Sequence, residues 1–237
     1  MQASELSALT AQVLWASFIL SAVFGAIAQR THFCTMGAVS DIVNMGDWTR
    51  MRMWGAAVGV AMIGFFAMAA AGWIDPGKTL YASNRIIWLS ALVGGAMFGF
   101  GMVLASGCGS KTLVRIGGGS LKSLVVFVVM GVAAFATLKG VTAVLRVATV
   151  DQVAINSIAG YAVFSPANGL FGFNTAVWGL VSALLLGGGL IVWALAAKDF
   201  RAAQPLLAGF GIGLVIVGMW WVSGKPGFLA EHTDTLQ

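Results

Sequence analysis

The chain has 237 residues, 59% of them hydrophobic and 9% charged, where an average soluble domain holds roughly 45–50% and 25%. That balance leaves too little polar surface to face water, so a soluble globular protein is excluded. In a membrane protein the net charge of +5 reports topology and anionic headgroups, and no nucleic-acid partner is expected.

Charge-free runs cover 6–29, 53–74, 86–110, 152–197 and 202–224. A bilayer core about 30 Å thick needs about 20 helical residues at a rise of about 1.5 Å each, so most of these runs can span. The N-terminal MQASELSALTAQ carries Glu5 and no basic residue before the first apolar run. It lacks the charged start of a cleavable signal peptide, so the first span, 12–29, is read as retained. After Arg30 comes THFCTMGAVSD, 31–41, uncharged until Asp41 but too short to cross. It suits a short re-entrant helix or an irregular segment held inside protein. The second span is 53–73, followed by the Pro-Gly turn DPGK at 75–78.

The third span, 86–105, runs into FGFGMVLASGCGSKTLVRIGGG, 98–119. A fourth is expected over 121–145, with Lys139 near a helix end, since a mid-bilayer Lys costs about 2.5–3.5 kcal/mol. The run 152–197 is too long for one helix, and FSPANG at 164–169 divides it. A short or re-entrant element is expected at 153–164 and the fifth span at 175–197. The loop KDFRAAQ, a sixth span over 205–222 and a polar tail, 231–237, complete the chain. Trp48, Trp54, Trp73 and Trp88 at span ends read as interfacial anchors, and His32 and His232 as solvated or headgroup-facing. The expectation is an all-α integral membrane protein, one polytopic domain over 1–237, with about six transmembrane helices plus short broken segments.

Loops after the first, third and fifth spans hold Arg30, Arg50, Arg52, Lys111, Arg115, Lys122, Lys198 and Arg201. They outnumber Lys78, Arg85, Arg146 and Lys225 on the opposite side, which places the first set in the cytoplasm and the N-terminus outside.

Two segments, 29–41 and 98–119, carry the cysteines. Thr31, Thr35 and Gly37 surround Cys34; Ser106, Gly107, Gly109 and Ser110 surround Cys108. Each cysteine follows an apolar helix and precedes an element that restarts as one. A broken helix exposes backbone N–H groups whose partial positive charge favours anions, and membrane transporters place half-helix ends at mid-membrane to this end. A thiol there is a soft, weak S–H donor. Burial is expected to keep both thiols protonated for an anionic cargo. Each cysteine alone also reads as a small packing residue, and Lys111 and Arg115 as topology anchors or as charges steering the anion. Two His and two Cys without paired spacing give no metal site, and no metal or cofactor is expected.

FGFGMVLASGCGSKTLVRIGGGS resembles the signature of the YeeE/YedE family of sulfur-compound transporters. QRTHFCTMGAVSD is similar to that family's first cysteine segment. The resemblance implies an hourglass-like helical bundle in the cell inner membrane that takes up thiosulfate or a related small sulfur-containing anion. Cysteines in series would contact the anion by S–H···S hydrogen bonds. Carried onto this chain, that makes Cys34 and Cys108 the relay. Gly107 and Gly109 would shape the loop, with Gly99 and Gly101 packing beneath it and Gly37, Thr35 and Ser106 beside the cysteines. A small cytosolic sulfur-carrier protein is the implied partner. Longer members carry a third cysteine segment that residues 121–237 lack, and EHTDTLQ reads like a mid-protein loop. The chain is thus a fragment, a half that needs a partner, or a version using two thiols. The reading is a permease, not an enzyme. Its alternatives are a membrane thiol redox protein cycling Cys34 and Cys108, and a non-transporting subunit.

Overall fold

The computed structural model describes residues 3–75, 85–105, 107–153, 155–156 and 175–227. Ser106, Lys78 and the rest of the turn after 75, FSPANG and most of the element expected at 153–164, and the 231–237 tail with His232 lie outside the described residues.

The described chain is helical: α1 Ala3–Thr31, α2 Thr35–Met45, α3 Thr49–Ala70, α4 Trp88–Leu104, α5 Gly109–Gly117, α6 Leu121–Lys139, α7 Val141–Ala148, α8 Thr175–Leu195, α9 Ala203–Leu206 and α10 Ile212–Val222. A two-residue antiparallel bridge joins β1 (Arg85–Ile86) to β2 (Ile155–Asn156). Five helical stretches are long and apolar enough to cross a membrane: Leu6–Met45, Thr49–Ala70, Trp88–Gly117, Leu121–Lys139 and Ala203–Gly227. A shorter apolar stretch, Gly179–Leu195, lies within α8. This is an all-α, multi-pass membrane protein. The six expected segments lie largely on helix, and the fourth is cut short. The fourth stops at Lys139, because a Cβ on Gly140 would sit 2.5 Å from the Ala136 carbonyl oxygen and the backbone turns extended there (φ −95°, ψ −163°). Lys139 therefore closes α6 from its last turn, where a cation complements the helix carbonyls.

The chain divides into two compact units. The first, Met1–Phe33, Gly46–Ala82 and Tyr161–Gln237, is built on α3. With no hydrophobic drive between helices in lipid, close approach comes from small residues, and α3 is lined with them. A Cβ on Gly59 would lie 2.5 Å from the Gly187 carbonyl oxygen of α8, and one on Gly187 2.8 Å from that of Gly59. Gly55 meets Trp193 and Gly179 meets Phe66, so α3 and α8 run antiparallel. Gly213 against Val60 and Gly64 against Val217 make α10 parallel to α3. Leu20 against Gly218 and Ile27 against Gly211 set α1 antiparallel to α10. These directions gather Arg30, Arg50, Arg52, Lys198 and Arg201 at one end of the unit. At the other end Lys225 Nζ lies 5.6 Å from the Trp73 ring centre.

Ala56, Ala57, Ala194, Phe200, Ala208 and Ile212 form the core at the arginine end. Phe33 belongs to it and stacks on Trp54 with ring centres 4.6 Å apart at 26°. Trp54 therefore packs inward, unlike the interfacial anchor expected from its position at a span end. Trp48, Trp73 and Trp88 remain exposed. Leu14, Trp15 and Phe18 on α1 are exposed too, as a lipid-facing surface requires.

The second unit, Cys34–Met45 and Ser83–Gly160, holds α2 and α4–α7. α5 packs on α6 and α6 on α7. The α5–α6 turn passes through Gly119 at φ +88°, a left-handed conformation that glycine adopts without strain. The Ser120 side chain then accepts the Ser123 N–H and caps α6.

Candidate functional site

At both cysteines the chain is interrupted where a backbone N–H reaches back five residues. At the end of α1, His32 N–H donates to the Gln29 carbonyl and Phe33 N–H reaches back to that of Ala28 (3.1 Å), with His32 at φ 51°. This crossed pair of bonds around a left-handed residue closes a helix and satisfies its last carbonyls. The next residue is Cys34, whose carbonyl accepts the Ala38 N–H at 3.0 Å and so starts α2. At the end of α4, Gly107 N–H reaches back to the Met102 carbonyl at 3.1 Å. The next residue is Cys108, extended at φ −79°, ψ 168°, whose carbonyl accepts the Thr112 N–H at 3.0 Å and starts α5. The described partners in the second break, Gly107 with Met102 and Thr112 with Cys108, each lie 74 residues after their counterparts, as Cys108 does after Cys34. Each cysteine is thus the N-cap of the half-helix that follows it.

The two sulfurs meet. Cys34 Sγ lies 3.4 Å from Cys108 Sγ, within hydrogen-bond reach, and either thiol can donate. Both are free thiols, 7% and 6% exposed, which shields the pair from bulk water. On its other side Cys108 Sγ is 3.1 Å from Ser110 Oγ. The buried Thr112 hydroxyl donates to the Cys108 carbonyl at 3.2 Å. The Cys108 sulfur makes no cap hydrogen bond of its own, while the backbone N–H groups of Lys111 from α5 and Thr35 from α2 act on it electrostatically. Positive ends of two half-helices therefore converge on one sulfur pair.

Of the residues singled out in the sequence, the fold gathers Cys34, Cys108, the Thr35 backbone and Lys111. Gly107 sits under the half-buried Lys111, whose δ-carbon would be 3.2 Å from a Cβ there. Gly109 faces the Met130 methyl of α6 at 3.5 Å. Gly37 is the half-buried third residue of α2, and Arg115 is exposed in the last turn of α5. Among the described residues nothing lies within 4 Å of a Cβ position on Gly99 or Gly101. The roles of Ser110, Thr112 and Phe33 emerge only here. Ser110 and Thr112 follow Cys108 by two and four residues, a spacing that marks a first helical turn only once the helix start is known. Asp41 is buried in α2. Asp47, outside the spans, accepts from the Thr49 hydroxyl (2.6 Å) and N–H (2.9 Å). Hydrogen bonds from the Thr49 hydroxyl and N–H hold the Asp47 carboxyl below its ordinary range against desolvation, with Arg50 and Arg52 adding to the lowering. Asp47 thus fastens the start of α3. Among the described residues no three His, Cys, Asp or Glu side chains gather as a metal site.

Residues 30–236 match the family model for sulphur transport. The thiosulfate transporter TsuA of Escherichia coli is 28% identical over 175 residues, 73% of this chain and 45% of that protein. The protein of the same name from Spirochaeta thermophila is 29% identical over 129 residues, 54% of this chain and 37% of its own. The match thus covers less than half of either relative. No solved structure matches the chain with significance. A family match over most of the chain, together with two cysteine-bearing breaks at the residues that carry the resemblance, places this protein in the YeeE/YedE sulphur transport family.

Proposed function

We propose that the chain forms a passage for thiosulfate or a closely related sulfur-containing anion, with Cys34 and Cys108 as its contact points. The observation that carries this reading is the sulfur pair, 3.4 Å apart and capping two half-helices within apolar membrane stretches. Thiosulfate presents a soft terminal sulfur and three charged oxygens. Its oxygens suit the N–H groups at the starts of α2 and α5, and its terminal sulfur suits an S–H donor. The thiols act in the neutral form, because a thiolate would repel the anion and has no proton to offer. That both relatives are thiosulfate transporters by name supports thiosulfate as the cargo.

The protein works as a permease rather than as a catalyst. It sits in the inner membrane with its N-terminus outside, supported by the arginine-rich end of the first unit and by the excess of Lys and Arg in cytoplasmic loops. Family resemblance supports a small cytosolic sulfur-carrier protein as the receiver. The test is uptake of labelled thiosulfate into proteoliposomes by the purified chain and by Cys34→Ala and Cys108→Ala. Loss of uptake in each variant is expected. Unchanged uptake in both removes the cysteines from the path.

A further inference from the structure

Two buried thiols this close invite a chemistry separate from the passage of an anion. We propose that Cys34 and Cys108 are a reversible oxidation site, closed into an intramolecular disulfide by a small two-electron oxidant of the peroxide class. The proposal rests on the transport reading for its consequence, though not for its chemistry. A disulfide has a sulfur–sulfur distance of about 2.05 Å, so the pair must close by little more than an ångström from the observed 3.4 Å. Both cysteines are N-caps at breaks, where the chain has left one helix and not yet entered the next. Each side chain can therefore turn without disturbing the hydrogen bonds of a helix interior.

Atoms and electrons balance as follows. One thiol gives up its proton and attacks the peroxide oxygen as the thiolate. The O–O bond breaks, the departing hydroxide takes that proton and leaves as water, and the cysteine becomes a sulfenic acid. The second thiol attacks the sulfenic sulfur, the S–S bond forms, and a second water leaves. Overall two thiols and one hydrogen peroxide give one disulfide and two waters, with both electrons drawn from the sulfurs. A dithiol reductant reverses the reaction by thiol–disulfide exchange. Hydrogen peroxide is small and uncharged, so it can reach a site that excludes bulk water.

The consequence follows from the geometry. The disulfide removes both S–H donors and ties the start of α2 to the start of α5. A transporter for a reduced sulfur compound would then stop importing it under oxidising conditions. Packing alone predicts otherwise: two inert sulfurs would stay free under peroxide.

The experiment uses the full chain in proteoliposomes, exposed to hydrogen peroxide with or without later dithiothreitol. Remaining thiols are trapped with a maleimide and the intact mass is read without reduction. The expected result is joint loss of both thiols with loss of two hydrogens, restored by dithiothreitol, while thiosulfate uptake disappears and returns in step. In Cys34→Ser and Cys108→Ser the remaining cysteine gains oxygen and forms no internal link. Persistence of two maleimide-reactive thiols after peroxide overturns the proposal, as does irreversible oxygen addition to both. A link that forms while uptake continues unchanged overturns the regulatory consequence and leaves the permease reading intact. A reduced protein that forms the link yet carries no thiosulfate sinks the permease reading and leaves the oxidation site standing.

Discussion

Glycine-rich membrane helices occur in both units, yet they are used differently. In α3 and α8 the glycines are the contact: Gly59 and Gly187 bring two backbones together with no room for a methyl group. In α4, Gly94, Gly95, Gly99 and Gly101 have no described neighbour within 4 Å of a Cβ position. One unit is thus locked by its missing side chains, whereas the other has a polar turn and a capped α6 beside the sulfur pair. Glycine count alone is therefore a poor guide to packing in a membrane. The contrast assigns stability to the first unit and chemistry to the second.

That division can be broken at several points. Cys108→Ala should abolish thiosulfate uptake while leaving the unfolding temperature in detergent nearly unchanged. A large loss of stability instead would place the sulfur in the scaffold. Phe33→Ala, which empties the stack on Trp54, should destabilise by about 3–5 kcal/mol, the range for removing a buried aromatic side chain. Thermal unfolding checks it. Gly59→Ala forces a methyl into the Gly187 carbonyl and should cost about 1–3 kcal/mol, where Gly95→Ala should change stability by less than about 0.5 kcal/mol. Equal effects of the two glycine substitutions would erase the contrast. Ser120→Ala, which removes the α6 cap, should cost about 0.5–2 kcal/mol.

The smallest effect concerns acid. The folded carboxyl of Asp47 lies below its ordinary value of about 4, so its contribution is complete above that value. It is lost as pH falls through the lowered folded one. Asp47→Asn should therefore lower stability slightly at neutral pH and flatten the acid limb, the two proteins converging at low pH. An acid limb identical in both proteins would remove Asp47 from the account.

Much of this architecture is legible in the residues because lipid imposes a blunt rule: long uncharged runs become helices. The two breaks are legible as well, since Gly107-Cys108-Gly109 cannot extend an apolar helix comfortably and THFCTMG is too polar to continue one. The meeting of the sulfurs is not, because partners 74 residues apart in the chain leave no local periodicity to read. Nor is the inward turn of Trp54, since a tryptophan at a span end looks the same whether it faces headgroups or a phenylalanine ring. The end of α6 hangs on one glycine, Gly140, in a run whose hydropathy continues past it. Phe33 is the subtlest case. Its neighbour Cys34 draws attention, while the ring that holds that stretch of chain in place passes as one more apolar residue.

A sulfur atom is a poor substitute for the hydroxyl or carboxylate that usually finishes a helix start. By setting Cys108 at the head of α5, the protein leaves that turn of backbone less well satisfied than a serine would. An oxyanion arriving there supplies what the thiol cannot, so occupancy and local order should rise together. Thiosulfate ought then to slow amide hydrogen exchange in the first turn of α5 before it affects any other part of the chain.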